Sequence, residues 1–261
     1  MTQILKKTIS IAAVLGALTT AALSCPFCYD AKGLTIGETK ILGNGTIYSW
    51  VKNNEKGEPT GVGVTMTATA LNGLPTEKPK TGAIGYETPL KLPVEASKTP
   101  FNHVAFDWNP LGHIPPGIYD VPHFDAHFYL LTVEDRLGIT LEGDGMAMVQ
   151  KQPVGTMPDG YIYAPQSEEK YMGAHWVTLA SPEFNGKPFT HTFIYGSYDG
   201  KMIFIEPMFT MAFLKTNPAI IVDFPQPKVY PAGKYFPTKY RISFDATRQE
   251  YTVALEGFVK R

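Results

Sequence analysis

Pro122-His123-Phe124-Asp125-Ala126-His127-Phe128-Tyr129-Leu130 decides how this chain is read. Successive side chains of a strand point to opposite faces. As a strand, the stretch puts His123, Asp125, His127 and Tyr129 on one face and Phe124, Ala126, Phe128 and Leu130 on the other. One face can then enter a core while the other carries a row of imidazole, carboxylate, imidazole and phenol. A helix would also bring His123 and His127 together, one turn apart. Pro122 and the β-rich flanks favour the strand, and we read Gly117–Val133 as the central one.

The pattern continues outward. Ile36–Trp50 and Val62–Ala70 are Thr-, Val- and Ile-rich, and the polar run 53–59 between them reads as a turn. Residues 72–100 carry five prolines and read as mostly loop, and residues 145–150 as a further strand. Lys170–Leu179, Thr190–Tyr195 and Lys201–Thr210 follow, the last two joined through Asp199-Gly200, a strong hairpin signal. Lys239–Phe244 and Glu250–Lys260 make a last hairpin, and Pro207–Lys215 is the clearest helix candidate. Many short strands with Gly/Pro turns predict a mostly β fold: an antiparallel β-barrel, or a barrel-like sandwich, with long loops. Closure is preferred because it removes sheet edges.

The N-terminus reads as a leader. Lys6 and Lys7 precede an uncharged apolar run, and Ala22-Leu23-Ser24 offers small residues at −3 and −1 of a cleavage site. Residues 1–24 are therefore expected to be a signal peptide, 25–34 a linker and 35–261 one barrel-like domain, with a periplasmic or secreted address. The run is too short and too rich in Ala and Thr for a membrane span. A lipid anchor on Cys25 is disfavoured, because Ala22 and Leu23 are in the reverse order of a lipobox. Cys25 and Cys28, the only two cysteines, form Cys-Pro-Phe-Cys and read as a local disulfide in an oxidising compartment. No strand precedes them, which argues against a thioredoxin-like motif.

Lys and Arg number 23 against 24 Asp and Glu, and two of the lysines lie in the leader, so nothing here attracts nucleic acid. Hydrophobic residues at 44% exclude a disordered chain. Gly-x-Ser-x-Gly elbows, phosphate loops and dinucleotide-type Gly-rich turns are absent from the sequence.

Three of six histidines fall at 113, 123 and 127. Residues two apart on a strand can converge on one ion, whereas residues four apart are about 13 Å apart. His123 with Asp125, or Asp125 with His127, could therefore chelate, and further ligands must come from elsewhere. His175, in Met172-Gly173-Ala174-His175-Trp176, and Glu206, a carboxylate amid apolar residues, are the candidates. Imidazoles with a carboxylate suit Zn, Fe, Mn or Cu. The expected metal set is His123, His127, His175 and Glu206, with Asp125 and His113 as outer partners or alternative ligands. Tyr129, Trp176 and Phe209 would line the pocket, and His103 and His191 are read as structural. The rival reading is a non-enzymatic, oligomeric binding or stress-response scaffold in which the histidines form a structural network. A metal-free acid–base site using His123 and Asp125 is a third.

The runs Trp108–Pro115, Gly117–Tyr129 and Tyr171–Trp176 resemble the TTHB210-like family, a bacterial domain of unknown function. The resemblance extends over roughly residues 35–215, with Pro122–Tyr129 its most specific piece. It implies a β-barrel-like fold and possible homo-oligomerisation, and no reaction.

Overall fold

A computed structural model describes residues 31–81 and 83–261. The expected leader and the Cys25–Cys28 pair lie outside the described residues. Antiparallel ladders build two main sheets. One runs in the order β1 (Leu34–Leu42), β2 (Gly45–Asn53), β3 (Pro59–Thr67), β14 (Glu250–Glu256), β13 (Lys239–Asp245) and β11 (Ala219–Asp223). The other runs β4 (Tyr86–Lys91), β5 (His103–Asn109), β6 (His123–Tyr129), β10 (Lys201–Thr210), β9 (His191–Tyr198), β8 (Ala174–Thr178) and β7 (Tyr161–Tyr163). The short strands β12 (Tyr235–Phe236) and β15 (Val259–Lys260) pair separately.

No closed barrel is found among the described residues. β3 pairs with β2 and β14, and β4 pairs with β5, so no ladder carries one sheet into the other. The proline-rich segment between β3 and β4, with Pro75 and Pro79, cannot donate a continuous ladder. The sheets instead share one core, in which Val62, Val64 and Met66 of the first meet Phe106, Phe124 and Phe128 of the second. Phe124 is fully buried, with ring centroids 4.7 Å from Trp108 and 5.8 Å from Phe209. Phe193 of β9 and Tyr240 of β13 stack across the two sheets at 5.3 Å.

Asp199 and Gly200 join β9 to β10 with φ of 47° and 73°, the left-handed pair a tight hairpin requires. Several expectations are corrected. Ile36–Trp50 is two strands, reversed at Gly43-Asn44. The central strand is only His123–Tyr129, and residues 113–122 are loop. Residues 145–150 form a helix, α2 (Gly145–Gln150), which follows α1 (Val133–Leu137). The expected helix at Pro207–Lys215 is strand up to Thr210 and then a single turn, α3 (Met211–Leu214), whose Phe213 N–H is capped by the Thr210 hydroxyl. Among the described residues, no helix is long and apolar enough to cross a membrane.

The outer face of the second sheet is covered as well. The connections 110–122, 130–160 and 179–190 lay Tyr119, Ile139, Val149 and Phe189 over it, in two small apolar clusters. Between those clusters lies the polar row of β6.

Candidate metal centre

Strand register assembles the site. On the outer face, β5 sets Asn109 opposite His123 and Asp107 opposite Asp125. β10 sets Met208 opposite Asp125, and the same register brings Glu206 across from His127. No ladder pair forms at Glu206 or Pro207 on the β6 side, in keeping with a proline that has no N–H to donate. On the far side, β9 sets Gly196 opposite both Phe204 and His175, which carries His175 toward His127. The alternation expected for 123–129 holds. Its polar face, however, points away from the inter-sheet core and into a pocket under the covering loops.

Six side chains fall into two sets of three, His127 with His175 and Glu206, and His113 with His123 and Asp125. Within each set the ligand atoms lie within 4.8 Å of one another, so each could hold a metal ion. Three of the four expected ligands thus come together, and His123 is placed with Asp125 and His113 instead. The four-residue separation of His123 and His127 along an extended strand accounts for the split.

In each of the four histidines Nδ1 is committed. It lies 2.7 Å from the Ile114 carbonyl in His113, 2.7 Å from that of Val121 in His123 and 2.7 Å from that of Ser167 in His175. A carbonyl can only accept, so Nδ1 is the protonated nitrogen in these three rings. The fourth, His127 Nδ1–H, donates to Asp107 Oδ2 at 3.0 Å. These contacts turn the Nε2 atoms inward. His127 Nε2 lies 3.3 Å from Glu206 Oε2, and His123 Nε2 lies 3.2 Å from Asp125 Oδ1. All four atoms are buried, yet none makes a hydrogen bond. Ligands on one ion with bonds near 2.1 Å stand about 3.0–3.4 Å apart, so these are spacings that a shared cation produces. A ring fixed through Nδ1 by a carbonyl or carboxylate is the usual outer support of a metal-bound imidazole.

The charges are interlocked. Burial disfavours a cationic His127, but Glu206 and Asp107 outweigh it and raise the ring to about 9. Burial pushes Glu206 up to about 8 despite the nearby His127. Burial and the His127 charge lower His175 to about 4. Burial also opposes a charged His113, but its contact with Asp125 raises it to about 9. Asp125 is held well below the ordinary range: burial acts against it, and the His123 and His113 charges prevail.

A cavity of about 290 Å³ opens onto His113, Asp125, His127, His175 and Glu206. Ile114, Met172, Val177, Ile194 and Met208 give it apolar walls, and among the described residues neither lysine nor arginine lines it. Of the three residues expected in the pocket, Trp176 and Phe209 lie in the inter-sheet core, where Trp176 Nε1 donates to Ser197 Oγ at 2.8 Å. Tyr129 stacks beside His127 at 5.6 Å, under the guanidinium of Arg136. His103 stacks on Tyr129 at 4.9 Å, and His191 Nδ1 lies 2.8 Å from the Tyr240 hydroxyl.

Asp107, Asn109 and Phe204 were not singled out by the sequence reading. Asn109 Nδ2 donates to Asp125 Oδ2 at 2.7 Å, and the Phe204 ring lies 4.9 Å from His127 and 5.2 Å from His175. The alternation of His103, Ala105, Asp107 and Asn109 on one face of β5 is the signal that could have found two of them.

No curated protein and no solved structure matches this chain. One family match is found, narrower than the resemblance over 35–215: it includes β3, β4 and Asp107 but ends before Asn109 and the His113–Tyr129 segment. Over residues 54–108 the chain matches the model of the TTHB210-like family, described as Hypothetical protein TTHB210, a domain of unknown function.

Proposed function

We propose that this is an exported metalloprotein that holds a divalent transition ion, Zn, Fe, Mn or Cu, through His127, His175 and Glu206. The ion would face a largely apolar-walled pocket that suits a small molecule. One observation carries the reading: two buried polar atoms, His127 Nε2 and Glu206 Oε2, face each other at ligand spacing, 3.3 Å, with no hydrogen bond. A buried polar group left unpaired costs about 1–3 kcal/mol, and a cation removes that cost for both. Two imidazoles and one carboxylate leave coordination positions open. A bound ion would supply Lewis acidity there, to a water or to an oxygen of the guest.

The protein's own residues set the rest. Asp107 and Ser167 hold the His127 and His175 rings in the tautomer that presents Nε2. The apolar walls favour the apolar part of a guest. Glu169, raised by burial, adds a group able to hold a proton at the wall. Export rests on the leader pattern of residues 1–24 and is tested by sequencing the N-terminus of the mature protein.

Metal analysis of protein purified without an affinity tag tests the metal. A stoichiometric transition ion is expected, with affinity at least about 100-fold lower in His175→Ala and Glu206→Gln, since loss of an outer support alone costs about 10–100-fold. Folded protein that binds none of the four metals at micromolar concentration would return the cluster to the scaffold reading.

A further inference from the structure

We infer that the same cavity holds a second metal ion, on His113, His123 and Asp125, so that the site is a two-metal centre. The inference rests on the reading of the cavity as a metal centre and extends it. Three observations support it independently of the first site. The second set repeats the first in composition, two imidazoles and one carboxylate, with its ligand atoms within 4.8 Å of one another. His123 is fully buried and Asp125 nearly so. His123 Nε2 and Asp125 Oδ1, both buried, stand 3.2 Å apart without a hydrogen bond and are aimed at one point. The outer supports repeat as well: the Val121 carbonyl fixes His123, the Ile114 carbonyl fixes His113, and Asn109 holds Asp125 by its other oxygen, Oδ2.

The loop that delivers His113 is built for close approach. Gly112 has φ +67°, and any Cβ there would run into the backbone of Tyr119 and Val121. The His113 N–H donates to the Tyr119 carbonyl at 3.1 Å, and the Tyr119 hydroxyl donates to Glu183 Oε1 at 3.0 Å. The chain is thus folded back and pinned before it enters β6. His113 Nε2 then lies 3.3 Å from Asp125 Oδ2. Each set has one part-exposed member, His113 in the second and His175 in the first, with the other two ligands buried. Asp125 and His127 are alternate residues of one strand face, about 6.5–7 Å apart along it. Ions on the two sets would face the same cavity, and a guest with two oxygen donors could reach both.

The test is ion stoichiometry. Tag-free protein stripped with a chelator is loaded with Zn2+, and separately with Co2+, and the ions retained per chain are counted after gel filtration. Two per chain are expected in the wild type. One is expected in His123→Ala, one in His113→Ala and one in His175→Ala, each variant losing only its own site. Circular dichroism checks folding. Should His123→Ala fail to fold, His113→Ala, altered in a part-exposed loop, decides. A single ion in the wild type, retained in His113→Ala and lost in His175→Ala, overturns the second site and leaves the first. Two ions retained in His113→Ala also overturn it, because the second would then lie elsewhere. No ion in any form removes both sites.

Discussion

Stripped of metal, the protein is expected to melt at steadily lower temperature as pH rises from 7 to 10, and saturating Zn2+ to remove that decline. Glu206 has a folded pKa near 8 against an ordinary value of 4.5. Between those values the folded state holds a proton that the unfolded chain lacks. Stability then falls as pH rises: this contribution is full below 4.5 and lost through 8. His127 and His113, raised from 6.5 to about 9, act in the same sense, full below 6.5 and lost through 9. His175, lowered to about 4, acts oppositely, but its contribution is complete above 6.5 and does not offset the alkaline loss. Asp125, held low, is likewise complete there. Glu206 and His127 titrate as a pair, so their losses overlap rather than add, and at about 1.4 kcal/mol per pKa unit the total is a few kcal/mol. At about 2–4 °C per kcal/mol for a chain of this size, the melting temperature should fall by about 10 °C. Ions on both sets would take the place of the protons on Glu206, His127 and His113, and the slope should vanish. Glu206→Gln should flatten much of it without metal. A stripped protein whose melting temperature stays level from pH 7 to 10 would refute this account of the cluster.

How much of this was legible depends on where periodicity survives. The row His123, Asp125, His127, Tyr129 could be assigned to one face because alternation with Phe124, Ala126 and Phe128 is complete. Lys201–Thr210 and its hairpin were legible through Asp199-Gly200. β5 also alternates, but its polar row is interrupted by Ala105 and follows a proline-rich stretch read as loop, and Asp107 went unnoticed with it. Sheet closure was illegible for another reason: β3 pairs with β14, nearly two hundred residues away, and no local pattern encodes that partner. The site was half legible. Residue chemistry pointed to His127, His175 and Glu206, three segments that only register and a Gly196 crossing bring together. The division into two sets depends on the path of the loop through Gly112 and His113, which carries no periodicity. Which face of the second sheet would be covered depends on three long connections, equally aperiodic.

Gly196→Ala is expected to damage fold and site together, although Gly196 touches no metal ligand through a side chain. It sits inside β9, opposite Phe204 on one side and His175 on the other. A Cβ there would fall within the Phe204 ring. The register slip between Met202 and Phe204 leaves Ile203 as an extra residue, and both side chains join the outer apolar cluster, so Phe204 has little room to retreat. Its ring meets His127 edge-on at 77° and also packs on Tyr129 and His175, which makes it the prop that sets both imidazole planes. Overpacking of this kind costs about 1–3 kcal/mol, or roughly 3–10 °C in melting temperature. The same shift turns two ligands off their shared point, and zinc affinity should fall by about 100-fold, the upper end of losses from an outer support. Phe204→Val in the Gly196→Ala background makes room for the methyl group. The double variant should therefore recover stability relative to Gly196→Ala while its zinc affinity stays low, a non-additivity diagnostic of direct contact. Normal melting and normal zinc affinity in Gly196→Ala alone would mean that Phe204 does not set the imidazole geometry, and the tight coupling of sheet packing to ligand placement would have to be abandoned.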